Sequence, residues 1–259
     1  MKKSLVSVAA IAAVLGATNV SAQPAPKATI VLVHGAFADS SSWNQLIPIL
    51  RKDGYFVIAL ENPLRGVRSD AAEVASVVSR LKGRVVLVGH SYAGSVISAA
   101  SVGVPSVKAL VYVSAFAPAA GETALGLTNK FPGSSLAGTL TPAVPLPGGG
   151  KNFYVIQGKF PAQFAADVAP AQAYLMSVGQ RPISAAALTE QSPEPGWKRI
   201  PSYFVYGDAD KNIPPAALGF MANRAHSRQT VVVKGASHVV MVSHPVEVAR
   251  IIEKAATTQ

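Results

Sequence analysis

The chain has 259 residues, 49% hydrophobic and 14% charged, and contains no cysteine. That composition excludes a disordered or low-complexity polypeptide, and the missing thiols exclude disulfide scaffolds, thiolate-bound metals and a cysteine nucleophile. The formal charge of +10 would suit an anionic partner, yet Lys and Arg are scattered, with no basic run and no nucleic-acid motif, so no nucleic-acid partner is expected.

Residues 1–22 read as an export signal. Lys2 and Lys3 precede an apolar run over 5–15, and Val20-Ser21-Ala22 supplies the small side chains that a signal peptidase reads. The run is shorter than the roughly 20 residues a membrane span requires, and Gln23-Pro24 follows it instead of a stop-transfer segment. The expectation is one domain over 23–259, exported to a bacterial periplasm or the medium, without stable membrane insertion.

Six apolar runs of strand length follow, at 29–33, 55–60, 84–88, 108–114, 201–206 and 230–234. Runs that are continuous rather than alternating suit a sheet covered on both faces. Helical stretches lie between them at 42–52, 69–82, 92–102, 215–224 and 245–256. This alternation predicts an α/β fold, a mostly parallel, doubly wound sheet of about six strands. One span breaks the rhythm. Residues 119–195 hold nine of the nineteen prolines, three successive glycines at 148–150 and only eight charged residues. A connection that long is no simple crossover, and its apolar patches predict an inserted, mostly helical lid.

The third strand leads into Gly89-His90-Ser91-Tyr92-Ala93-Gly94 and then a helix. In a strand–turn–helix setting, G-x-S-x-small is the pattern of a nucleophile elbow, whose flanking positions must be small because the turn is sharp. His34-Gly35-Ala36-Phe37 follows the first strand, where such an enzyme places one oxyanion donor. The backbone N–H groups of Ala36 and Tyr92 are the expected pair, with His34 holding the loop.

A serine hydroxyl needs a base. Of five histidines, His90 lies inside the elbow pointing away from the serine, His226 is in a polar linker, and His244 precedes Pro245 at a helix start. His238, in the loop after the last strand, is the expected base. The orienting acid should follow a strand and lie between Ser and His along the chain. Asp208 and Asp210 both do; Asp210 leaves the loop residues needed to turn back toward His238, while Asp208 suits a hydrogen bond within its own turn.

Together these residues resemble the α/β-hydrolase superfamily. More narrowly, the sequence is similar to a small bacterial branch related to plant methylesterases and hydroxynitrile lyases. The similar segments are residues 31–37, Gly89-His90-Ser91, Asp210-Lys211-Asn212-Ile213-Pro214 and 237–245. The resemblance implies Asp210 as the acid, His238 as the base, an oxyanion hole from Ala36 and Tyr92, and no cofactor. Lyases of that branch carry Thr where Gly35 stands and Lys where Val239 stands, so hydrolysis is the preferred expectation.

The expected reaction is cleavage of carboxylic esters bearing small to medium apolar groups, through an acyl-enzyme on Ser91. Phe37, Phe116, Trp197 and Met241 are the expected pocket wall, and a small-molecule ester the expected partner. The alternatives are lyase-like or cofactor-free oxidative chemistry on the same triad, or a weakly hydrolytic small-molecule receptor. Epoxide and haloalkane hydrolysis are disfavoured, since that chemistry uses Asp at the position of Ser91.

Overall fold

The structure, a computed structural model, describes residues 26–257; residues 1–22, read above as an export signal, lie outside the described residues. Six parallel strands form the central sheet: β1 (Thr29–Val33), β2 (Phe56–Leu60), β3 (Val85–His90), β4 (Val107–Val113), β8 (Ser202–Gly207) and β9 (Gln229–Val233). Three short strands, β5 (Val144–Pro145), β6 (Lys151–Phe153) and β7 (Ile183–Ser184), make a separate antiparallel sheet. The central order is β2-β1-β3-β4-β8-β9. Every residue of β3 and β8 is buried, which accounts for the continuous apolar runs at 85–88 and 203–206.

The helices of the main layer are α1 (Ile47–Lys52), α2 (Val67–Val78), α3 (Ala93–Ala100), α8 (Pro215–Arg224) and α10 (Pro245–Thr257), with the short α9 (Val240–Ser243) just before the last. α2 packs on α3, and α1 on α10. The continuous helix expected over 42–52 is broken instead. A 3-10 turn, Ser40–Trp43, is capped by Asp39, whose carboxylate accepts from Ser41 N–H at 2.8 Å, and α1 begins afresh at Ile47. Pro48 is the cause: it has no N–H to donate, and its ring would collide with the carbonyl four residues back in an unbroken helix.

From β1 the chain runs outward to β2, then crosses back to place β3 on β1's other side. The loops leaving β1 and β3 therefore diverge, opening a crevice at the carboxyl ends of the strands, where open α/β sheets bind ligands. The long connection from β4 to β8 contributes α4 (Ala124–Lys130), α5 (Phe160–Phe164), α6 (Pro170–Gly179) and α7 (Ala185–Thr189) as well as the three-stranded sheet. Among the described residues, no helix is long and apolar enough to cross a membrane.

Candidate active site

Ser91 sits between β3 and α3 with φ +55°, in the left-handed region that a side chain disfavours. Such a residue costs about 1–3 kcal/mol and persists only where its surroundings over-determine it. Here its N–H donates to Val113 O at 3.2 Å, and its carbonyl accepts from Gly94 N at 3.0 Å and Phe116 N at 3.1 Å. The turn is tight enough to forbid side chains nearby. A Cβ on Gly89 would lie 2.8 Å from Ala93 O, and one on Gly94 would lie 2.1 Å from Phe116 O.

Asp210 leaves β8 and His238 leaves β9, so adjacent strands deliver both to one rim of the sheet. His238 Nδ1 lies 2.7 Å from Asp210 Oδ2, with both side chains buried. Asp210 Oδ1 is occupied by the N–H groups of Asn212 and Ile213 at 2.8 and 3.0 Å. A carboxylate only accepts, so Nδ1 carries the proton and Nε2 is left with a free lone pair, the tautomer a general base requires. From the insertion, Gln163 Nε2 donates to Lys211 O and Asn212 Oδ1, clamping the acid's loop. Asp208 does something other than expected: it accepts from Gly235 N–H at 2.6 Å, tying down the loop that carries His238 instead of closing its own turn.

The remaining histidines take structural places. His34 is buried; its Nε2 accepts from Asn62 N–H at 3.0 Å, so the proton is on Nδ1, which donates to Gly35 O at 2.9 Å. Burial holds this imidazole below its usual pKa, against the raising effect of Glu61 nearby. His90 is fully buried and donates from Nε2 to His238 O at 3.1 Å, leaving Nδ1 without a partner. Burial, reinforced by His238, holds it far below its usual pKa. His226 is exposed, and His244 contacts its neighbour Ser243.

Ser91 and His238 line one cavity of about 160 Å³, together with Ala36 and Tyr92. No hydrogen bond joins Ser91 to His238 among the described residues; such bonds are commonly long until substrate is bound. The N–H groups of Ala36 and Tyr92 have no acceptor among the described residues. Both are held in place. The His34–Gly35 bond fixes the peptide plane from which Ala36 N–H projects, and Phe37, at φ +58°, donates its N–H to Arg181 O of the insertion at 2.9 Å.

Phe37 and Phe116 line the cavity, joined by Phe164, Leu140, Leu188 and Ile213. Trp197 and Met241, expected in the wall, are elsewhere. Trp197 turns its indole N–H to Pro118 O at 3.0 Å and lies under the guanidinium of Arg224, while Met241 is wholly buried in the core cluster. No ionised carboxylate, Lys or Arg lines the cavity, which gives it an uncharged, largely apolar wall. Among the described residues, no group of three or more His, Cys, Asp or Glu side chains is placed to hold a metal ion.

One buried acid went unforeseen. Asp70, in the first turn of α2, accepts from Tyr92 Oη at 2.9 Å and from Arg65 N–H at 3.1 Å. An Asp early in a helix reads as a solvated charge favouring the positive helix end; the signal that marks it otherwise is its spacing, which puts it on the stripe of Val67, Ala71, Val74 and Val78 that α2 buries.

Comparison with known proteins bears on the fold and family. The chain is 30% identical over 116 residues to a carbendazim hydrolyzing esterase of Nocardioides sp. (strain SG-4G), covering 40% of this chain and 48% of that one. It is 26% identical over 244 residues to a putative chloroplastic methylesterase 15 of Arabidopsis thaliana, covering 86% and 55%. An alpha-hydroxynitrile lyase of Arabidopsis thaliana is 24% identical over 237 residues, covering 83% and 92%. The chain thus spans about half the length of the first two of these curated relatives. Among solved structures, polyneuridine aldehyde esterase superposes with TM-score 0.76 at 18% identity, covering 88% of this chain and 98% of that one. A pyrethroid hydrolase from Sphingobium faniae JZ-2 gives 0.69 at 22%, covering 88% and 97%. The sequence profile of the alpha/beta hydrolase family matches residues 30–251, from the first core strand into the last helix. Sequence profile and strand order agree: the chain belongs to the alpha/beta hydrolase family.

Proposed function

We propose that this protein hydrolyses carboxylic esters with a small, uncharged, apolar acyl or alcohol group through an acyl-enzyme on Ser91. The observation that carries the reading is the Asp210–His238 bond of 2.7 Å, with its Nε2 lone pair on the same cavity as Ser91. Ser91 Oγ attacks the carbonyl carbon as His238 Nε2 takes its proton. Asp210 holds the tautomer and steadies the imidazolium. The N–H groups of Ala36 and Tyr92 donate to the developing oxyanion, and the carbon–oxygen bond to the alcohol breaks as Nε2 returns the proton to it. Water, deprotonated by the same imidazole, then attacks the acyl carbon, and the acid leaves as Ser91 regains its proton. Esterase names among the relatives support the reaction class.

Size supports the substrate class. A cavity of about 160 Å³ is close to the roughly 150 Å³ apolar cavity that accommodates benzene, so one aryl or short alkyl group fits at a time. Hydrolysis of nitrophenyl esters tests this: turnover should be greatest for acetyl to butyryl chains and fall for longer acyl chains. Preference for long-chain lipid esters would contradict it.

Hydrolysis is favoured over cyanohydrin cleavage at two positions. A Cβ on Gly35 would lie 2.6 Å from Ser91 Cβ and from His90 O, so the Thr of the lyases has no room here. Val239 is wholly buried and brings no cation to the cavity. The domain is further proposed to act after export, with cleavage after Ala22; an N-terminus at Gln23 in protein recovered outside the cytoplasm is the expected result.

A further inference from the structure

We propose that Asp70 is a positioning residue for the oxyanion hole, acting through the hydroxyl of Tyr92. The inference rests on the esterase reading, because it concerns the amide that would hold the oxyanion. Tyr92 follows the nucleophile directly and precedes α3, a helix that has no side-chain cap at its start. Its neighbour Ser91 is held in a disfavoured conformation. A backbone of that kind needs outside support to stay where it is. Tyr92 is almost wholly buried, and its hydroxyl reaches across to Asp70 Oδ2 at 2.9 Å, pinning the start of α3 to the first turn of α2.

Asp70 is an expensive way to anchor a tyrosine. A carboxylate with no solvent exposure needs several donors to offset its lost hydration. It accepts from Arg65 N–H at 3.1 and 3.2 Å, from Gly66 N–H at 3.4 Å and from Ser69 Oγ at 3.3 Å, as well as from Tyr92. Capping α2 accounts for the amide bonds; it does not call for the phenol. The guanidinium of Arg65 is turned away to Asn152 Oδ1 at 2.7 Å, so it does not neutralise the carboxylate. Arg65 O in turn accepts from Ser184 Oγ at 2.7 Å. A chain of polar contacts, part-buried at Arg65 and buried from Asp70 onward, therefore runs from the small sheet of the insertion to the residue bearing the oxyanion amide.

Two variants alter the link without changing volume much: Tyr92→Phe deletes the phenol, and Asp70→Asn replaces the charged acceptor with a neutral amide. Each should lower kcat on a nitrophenyl ester by about 10- to 100-fold with KM within about 2-fold, less than the about 10²–10³ lost when an oxyanion donor itself is deleted. The rate of Ser91 phosphonylation should fall in parallel, and the double variant should cost little more than either single one. A second measurement does not depend on turnover. With ¹⁵N-tyrosine labelling, the Tyr92 amide of Asp70→Asn should exchange its hydrogen about 10-fold faster or more, while the other six tyrosine amides stay unchanged. Lower thermal stability with kcat, phosphonylation and the Tyr92 amide all unaltered would reduce Asp70 to a helix cap and overturn the proposal. A Tyr92 amide that responds in a protein that neither hydrolyses esters nor takes up phosphonate would preserve the positioning role and reject the esterase reading instead.

Discussion

His238 Nδ1 and Asp210 Oδ2 stand 2.7 Å apart, and the carboxylate's other oxygen is already committed to two backbone amides. This division of labour predicts what Asp210→Asn does. The amide oxygen stays on the N–H groups of Asn212 and Ile213, so the NH₂ faces His238 and drives its proton to Nε2. The lone pair that should face Ser91 is lost. We expect kcat to fall by about 10⁴-fold with folding intact; steady-state kinetics alongside circular dichroism check it. Wild-type turnover in that variant would exclude Asp210 as the orienting acid.

Acid stability should carry the signature of two buried imidazoles. His34 and His90 are both held below their usual pKa by burial. Protonating His34 would set an N–H against the Asn62 N–H that its Nε2 now accepts. On unfolding, both imidazoles regain an ordinary pKa and take up protons below about pH 6.5. The unfolded state then binds more protons than the folded one, so stability falls as pH drops from about 6.5 toward the depressed folded-state values. Each group adds up to about 1.4 kcal/mol per pH unit to that slope. Urea midpoints between pH 7 and 5 measure it, and His90→Gln should flatten the slope by about one proton.

The glycines of the elbow have no room for a side chain, while others in the chain do. Gly94→Ala would place a Cβ 2.1 Å from the carbonyl of Phe116, on the segment that also pairs with Ser91. Backbone must move to admit it, at a cost of about 1–3 kcal/mol or more. Gly138→Ala, in the 3-10 turn Leu136–Thr139, meets nothing within 4 Å. Thermal melting should separate the two, with a clear loss for the first and little change for the second.

Enlarging the cavity should change which ester is accepted. Leu140 and Leu188 stand in its wall and Leu125 is half exposed at its rim. Leu188→Ala should enlarge the space and raise kcat/KM for hexanoyl over acetyl esters by about 10-fold, in line with 1–3 kcal/mol for a methylene or two in an apolar pocket. An unchanged chain-length profile would place the acyl group elsewhere.

The fold was legible because six apolar runs of strand length alternate with helical stretches, and each became a strand of the central sheet, largely buried in the inner four and partly exposed in the edge strands β2 and β9. That Asp210 would lie against His238, and Ser91 on the same cavity as that imidazole, was legible from their order along the chain and their places just after strands. What escaped was what depends on tertiary placement. Met241 and Trp197 are apolar residues near the site in sequence, but only packing decides which side chains face core and which face cavity. Asp70 and Gln163 are ordinary polar residues on helices, and their burial follows from the neighbouring α3 and the acid's loop closing over them. The small sheet of the insertion has strands of two or three residues, too short for any periodicity to announce.

Intact-mass spectrometry after treatment with an organophosphonate, followed by peptide mapping, tests the central claim most directly. A serine made nucleophilic by His238 should take up one phosphonyl group, on Ser91 alone, and Ser91→Ala should take up none. An unmodified wild-type protein, or an adduct on another side chain, would contradict the account.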